Sequence, residues 1–171
     1  MSYQKTIFLS AAPPNCTSIQ FISTLKAFLS IALGKTDITF GGHPLVTELI
    51  LEAADQLFKV SDEYLAVTRY VSQFFEIDYV HSKYMLTQNI PAVNGDIKAN
   101  LSVLRDVMLD PSHNYDIGVF LGGRGGVYEE YCMFLSKHPK ATVIVDPSTE
   151  GDAEKIAKQN FICIEKSQFF L

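Results

Sequence analysis

The sequence has few cysteines and no long apolar run. Its three cysteines, Cys16, Cys132 and Cys163, lie far apart and include no CxxC pair, so neither a disulfide framework nor a zinc site is expected. We therefore expect a cytoplasmic protein with reduced thiols. No stretch approaches the roughly 20 apolar residues that a membrane span requires, and we do not expect a membrane as a partner.

An excess of positive charge is also missing. Fourteen Lys and Arg stand against nineteen Asp and Glu, which gives a formal net charge of −5. This balance argues against general binding to nucleic acid, so an anionic ligand would need a local positive site. There is no internal repeat, low-complexity segment or linker-like stretch. We expect one domain over residues 1–171, a length that buries a sizeable core.

Short apolar runs alternate with helical patterns along the chain, as is typical of βαβ units in a mostly parallel sheet. The sequence therefore predicts an α/β protein: a three-layer Rossmann-like fold with a mostly parallel central sheet flanked by helices. The predicted strands are Thr6–Ser10, Asp37–Phe40, Leu65–Val71, Ile117–Leu121 and Thr142–Val145.

Apolar stripes at helical spacing predict helices over about 22–32, 44–57, 97–108 and 127–137, with a last one ending near 158. Asn15, Thr17 or Ser18 is the expected N-cap of the first helix, and Ser148 or Thr149 that of the last. Residues 72–91 show no clear period, with a short strand near Tyr84–Thr87 as one interpretation. Phe161–Ile164 is predicted as an added edge strand.

Three predicted strands run directly into segments of small residues. These segments contain Ser10 and Ala11, Gly41 and Gly42 before His43, and the glycine-rich stretch Gly122–Gly126. The carboxyl ends of parallel strands meet at one edge of a sheet, where ligands bind at a switch in strand order. The sequence thus predicts a ligand site built from these three segments, with His43 either a donor to the ligand or a turn residue before Pro44.

The glycine-rich stretch carries the clearest functional signal. Gly122, Gly123, Gly125 and Gly126 lack a Cβ, so their peptide N–H groups can approach a ligand closely. The helix that follows presents unpaired N–H groups and a partial positive charge, which favour phosphate. Arg124 can add a bidentate phosphate contact. The alternative is a tight turn with Arg124 in solvent, and we favour the ligand.

Two further side chains are candidates near this stretch. Arg105, on the preceding helix, either reaches the ligand or pairs with a nearby acid such as Asp106 or Asp110. Glu129 and Glu130 lie in the first helical turn, where acidic residues stabilise a helix through its dipole. We assign Glu130 that structural role alone and leave Glu129 open between that role and a contact with ribose hydroxyls. No histidine shows metal-ligand spacing, so no metal is expected, and no G-x-S-x-G elbow presents a nucleophile.

This pattern resembles the SLOG superfamily, which includes the LOG cytokinin-activating phosphoribohydrolases with their hallmark PGGxGTxxE. Leu121–Glu129 align with the hallmark, with Leu121 in place of proline and Gly126 in place of threonine. Arg105 and Glu129 match the catalytic arginine and glutamate of those enzymes. The resemblance implies a Rossmann-like fold over nearly the whole chain.

The chain is more similar still to the STALD branch, which is associated with sirtuin and TIR domains in bacterial antiviral systems. The likeness rests on Gly41–Pro44, on Arg105 with Met108, and on Phe134 to Pro139. It implies binding of an NAD-derived nucleotide, such as ADP-ribose or cyclic ADP-ribose, as a signal for an effector. At Ser148–Gly151 the branch would have a more glycine-rich TGG-like turn.

The resemblance leaves three functions open. The first is a binding module that senses an NAD-derived nucleotide, without a separate cofactor, for a TIR or other effector protein. The second is a LOG-like hydrolase in which Arg105 and Glu129 are catalytic and cleave the N-glycosidic bond of a nucleoside 5′-monophosphate. The third is an interaction subunit whose glycine loop has lost its ligand. Homo-oligomers are common in the superfamily, so we expect one here by analogy.

Overall fold

The computed structural model describes residues 4–15, 18–58, 66–75 and 84–168, with the backbone alone at 58 and 161–168. Within these residues the chain folds into one six-stranded sheet in which every neighbouring pair of strands is parallel. The strands are β1 (Thr6–Ala12), β2 (Asp37–Phe40), β3 (Val67–Ser72), β4 (Leu86–Ile90), β5 (Ile117–Gly122) and β6 (Thr142–Asp146).

The strand order is β4-β3-β2-β1-β5-β6. From β1 the chain builds the sheet outward through β2, β3 and β4, and then returns to the other side of β1 with β5 and β6. The order therefore reverses at β1 and β5, and in such sheets a ligand binds beyond the carboxyl ends of the strands at the reversal. The predicted α/β, Rossmann-like fold is confirmed.

Five helices flank the sheet: α1 (Ile19–Ala32), α2 (Pro44–Phe58), α3 (Ile97–Met108), α4 (Gly126–Lys137) and α5 (Gly151–Gln168). Alternate residues of β1 separate the two cores. Ile7 and Leu9 pack under α1 and α2 on one face, whereas Phe8 packs with Phe120 and Phe134 under the remaining helices on the other. Two hydrophobic layers between helices and sheet give the three-layer architecture.

Local sequence explains where the helices begin. Ser18, one of the three predicted caps, accepts a hydrogen bond from the N–H of Phe21 and caps α1. Pro44 occupies the first position of α2, where the missing N–H costs nothing. Asp96 caps α3 by accepting from the N–H of Ala99 at 3.0 Å. None of the helices among the described residues combines the length and apolarity needed to cross a bilayer.

Several predicted boundaries are wrong. The predicted strand Phe161–Ile164 lies inside α5, which is helical to Gln168; a short apolar run cannot be told from a helix segment by period, and no Gly or Pro follows Gly151 to end the helix. Ser148 and Thr149 do not cap α5, because they belong to a short 3-10 turn before it.

The poorly periodic stretch 72–91 does hold a strand. It is β4, and it begins at Leu86 rather than near Tyr84. The third predicted strand begins at Val67 among the described residues, and Leu65 lies outside them. β1 continues past its predicted end at Ser10, through Ala11 to Ala12, because it pairs with β5 as far as Gly122.

Candidate functional site

The sheet register brings the three predicted small-residue segments together. Ala12 pairs with Gly122 across β1 and β5, and Leu9 pairs with Phe40 across β1 and β2. The end of β1 therefore lies between Gly41 and the glycine loop. A cavity of about 330 Å³ opens at this edge of the sheet, as the strand order requires.

The cavity has an apolar side and a polar side. Its apolar wall comes from strand ends, from α3 and from the turn after β3, and consists of Leu9, Phe40, Val71, Phe75, Leu101 and Leu104. Its polar wall contains Gly42, His43, Arg105, Gly126 and Glu130. Gly122, Gly123, Arg124, Gly125 and Glu129 do not line this cavity, although the sequence predicts them as site residues.

Most of the glycine-loop N–H groups form hydrogen bonds within the protein. The N–H of Gly122 donates to Thr149 Oγ1 at 2.8 Å, that of Gly123 to the carbonyl of Ala12 at 2.7 Å, and that of Gly125 to Asp152 Oδ2 at 2.6 Å. All three glycines have positive φ, from 63° to 108°, and this conformation favours glycine. Three of the five peptide groups expected to meet phosphate therefore already have partners.

Two N–H groups at the start of α4, those of Gly126 and Val127, have no such partner in the ranges that the structure describes. Neither Gly126 nor Val127 donates a hydrogen bond to any of the described residues, and both residues line the cavity. Nη2 of Arg105 also forms no hydrogen bond within the described part of the chain, and it would lie 3.1 Å from a Cβ placed on Gly126. These donors lie at the positive end of the α4 dipole, an arrangement that favours an anion.

A buried network joins Arg105 to the end of β1. Arg105 Nε bonds Glu130 Oε1 at 3.3 Å, and Ser10 Oγ donates to Glu130 Oε2 at 2.6 Å. Burial raises the pKa of Glu130 above its usual range, while the Ser10 and Arg105 contacts oppose that rise. A carboxylate held this way can accept hydrogen bonds from sugar hydroxyls at the cavity wall.

The structure places the two glutamates differently from what their predicted roles suggest. The Glu130 side chain is 17% exposed and lines the cavity, whereas Glu129 is 59% exposed and pairs with Nη1 of Arg105 outside it. Of the two alternatives left open for Arg105, both apply in part: it lines the cavity and it pairs with acids. Those acids are Glu129 and Glu130, whereas Asp106 pairs with Lys137. Successive helical residues point about 100° apart, and the sequence contains no signal for which one faces β1.

His43 lies where the sequence predicts it, at the cavity wall after β2. Its carbonyl accepts from the N–H of Thr47 at 2.9 Å and so holds the start of α2. Its Nδ1 is buried without a partner among the described residues. Burial, and secondarily the charge of Arg124, lowers the pKa of His43, so the ring is neutral at neutral pH.

Arg124 lies outside the cavity. It is exposed, and its Nε donates to the carbonyl of Pro14 at 2.9 Å. It lines a second, more open pocket of about 540 Å³, together with Lys98 and Glu129. The glycine loop therefore separates two compartments.

Comparison with known proteins adds one result. The model of the family described as LD_cluster3, SLOG cluster3 family, matches residues 14–167. The match begins just after β1 and ends within α5, and so it includes the glycine loop, Arg105 and both glutamates. No curated protein matches the chain.

Proposed function

The chain belongs to the SLOG cluster3 family, and we propose that it binds an NAD-derived nucleotide of the ADP-ribose or cyclic ADP-ribose type as a signal. Membership implies a nucleotide-related signalling domain. One observation carries the specific proposal: Gly126 N–H, Val127 N–H and Nη2 of Arg105 all lack partners among the described residues, and all three residues line the cavity.

These three donors suit a phosphate. Peptide N–H groups at a helix start bind an anion without a net charge of their own, and a guanidinium adds a charge-assisted bond. Glycine at position 126 leaves space for the guanidinium, because a Cβ there would meet Nη2 at 3.1 Å. We therefore place the anion contact at the first turn of α4, because the N–H groups of Gly122, Gly123 and Gly125 already have partners.

The remaining walls suit the rest of a nucleotide. Glu130, held by Ser10 and Arg105, would accept hydrogen bonds from ribose hydroxyls. The apolar wall around Phe75, Phe40 and Leu101 would cover a base. A volume of about 330 Å³ falls at the lower end of the range for small-molecule sites.

Hydrolysis is the second candidate, favoured by the buried Glu130 carboxylate. A carboxylate beside the ribose would stabilise the positive charge that develops when an N-glycosidic bond breaks. The geometry favours Glu130 for this role, although the aligned hallmark points to Glu129. We also propose, from the resemblance to the STALD branch, that a TIR or other effector protein is the partner that responds to the signal. We further propose that the protein forms a homo-oligomer.

Calorimetry with ADP-ribose, cyclic ADP-ribose and NAD tests the proposal. We expect calorimetry to show binding. Chromatography of the same samples should show no free base. Absence of binding by all three nucleotides at high micromolar concentration would overturn it. Steady base release would show that the protein is a hydrolase and not a sensor. Loss of that release in Glu130→Gln but not in Glu129→Gln would identify Glu130 as the catalytic carboxylate.

A further inference from the structure

Arg105 lies between two compartments. The cavity of about 330 Å³ and the second pocket of about 540 Å³ share Leu101, Arg105 and Gly126 in their walls. The guanidinium of Arg105 bonds Glu130 on the cavity side and Glu129 on the other. Both compartments therefore adjoin Arg105 and the first residue of α4.

The second pocket carries positive charge that the protein does not use. Of its two acids, Asp96 caps α3 and Glu129 pairs with Arg105. Of its cations, Lys98 forms no ion pair with any described residue. A mobile ammonium group at the rim of a pocket can meet an incoming anion.

Lys98 lies at a position that the helix dipole does not favour. It is the second residue of α3, whose first turn contains no acid. A cation near a helix N-terminus is unfavourable because it opposes the positive end of the helix dipole. Another lining residue, Gly125, borders open space, since a Cβ placed on it would meet nothing within 4 Å.

We propose that this pocket is a second subsite, with Lys98 as a specificity-determining residue for ligands that carry a diphosphate. The first phosphate would lie at Gly126 and Val127, and the second would cross Arg105 toward Lys98. The sugar or nucleoside beyond it would fill the second pocket. This inference rests on the proposed function and sharpens it: the ligand is a nucleoside diphosphate with a further group, rather than a mononucleotide.

The test compares two probes on one variant. ADP-ribose spans both compartments, whereas AMP fills the first alone. Lys98→Glu should weaken ADP-ribose binding by about tenfold in calorimetry, since it replaces attraction by repulsion at the pocket rim, and should leave AMP within about twofold. Lys140→Glu makes the same charge change at an exposed position that lines neither compartment, and it should leave both affinities unchanged.

Three results would overturn the inference. Equal weakening of AMP and ADP-ribose by Lys98→Glu would show a general charge effect, and no weakening of either would show that Lys98 contacts no ligand. AMP binding as tightly as ADP-ribose to the unaltered protein would also overturn it, although the proposed nucleotide site would stand. Failure of both probes to bind would overturn the proposed function and this inference with it.

Discussion

The carboxylate of Asp152 accepts a hydrogen bond from the peptide nitrogen of Gly125 at 2.6 Å. The same oxygen accepts from the N–H of Tyr128 at 3.2 Å. A side chain from α5 therefore occupies part of the α4 N-terminus, where the sequence predicts ligand phosphate. Because Asp152 is 7% exposed, this contact is an integral part of the fold.

Asp152→Ala should lower the free energy of unfolding by about 1–2 kcal/mol, because it removes a charged cap from two N–H groups. Urea denaturation measures the change. Asp55→Ala, at an exposed position on α2, is the matched control and should stay within about 0.5 kcal/mol of the unaltered protein. Equal stabilities of the two variants would show that the cap contributes nothing.

Glu150→Gly should stabilise the protein. Glu150 has φ 63° and ψ −169°, a conformation that glycine adopts readily and other residues adopt at a cost of about 1–3 kcal/mol. Glycine also loses more conformational entropy on folding, which offsets part of this gain. The free energy of unfolding, measured by heat or urea, should therefore rise by roughly 1 kcal/mol.

The same substitution in α5 gives the control. Glu154→Gly lies in the first turns of a helix, where glycine costs about 1 kcal/mol relative to a good helix former. The two variants should therefore differ in sign. A destabilised Glu150→Gly protein would mean that the Glu150 side chain contributes contacts worth more than its strained backbone.

Glu130→Gln should weaken ADP-ribose binding by about tenfold, because a neutral amide forms weaker bonds to sugar hydroxyls than a carboxylate. Glu129→Gln changes the adjacent residue in the same way. Its side chain is more than half exposed and lies outside the cavity, so its effect should be smaller. The reverse order in calorimetry would restore the role that the aligned hallmark implies.

The stability of the protein should depend on the protonation of His43. Its pKa is lowered in the folded state from the ordinary 6.5, so the unfolded chain takes up the proton first as the pH falls. The stabilising contribution is therefore complete above pH 6.5 and is lost as the pH falls through the folded-state value.

Urea unfolding at several values between pH 7.5 and 5 measures this. The free energy of unfolding of the unaltered protein should fall relative to His43→Asn as the pH drops. His138, whose pKa burial also lowers, is present in both proteins, so its contribution cancels. Parallel pH profiles for the two would contradict a buried, neutral His43.

Periodicity and turn chemistry were enough to predict five of the six strands and the presence of all five helices, because those elements depend on which face is buried. β4 escaped a firm assignment since most of its residues are exposed, which leaves little alternation to detect. The strand predicted at Phe161–Ile164 shows the converse limit. An apolar run of four residues satisfies either period, and only the continuation of α5 decides between them.

The candidate site was predictable in place but not in detail. Parallel strands bring their carboxyl ends together, so the convergence of Gly41, His43 and the glycine loop followed from the fold class. The partners of the loop amides are 27 residues away in sequence, at Thr149 and Asp152. Such distant side chains leave no local pattern, and the choice between Glu129 and Glu130 depends on a helix rotation that tertiary packing sets.

The contact between Asp152 and the glycine loop has a thermodynamic consequence. The N–H of Asp152 also donates to the carbonyl of Gly123 at 3.3 Å, so both the backbone and the side chain of Asp152 connect the first turn of α5 to the loop. A protein that binds α5 and displaces Asp152 must change the affinity of this site for an anion bound at Gly126. By linkage, that anion changes the affinity for the protein that binds α5 by the same factor. The two binding events are therefore coupled.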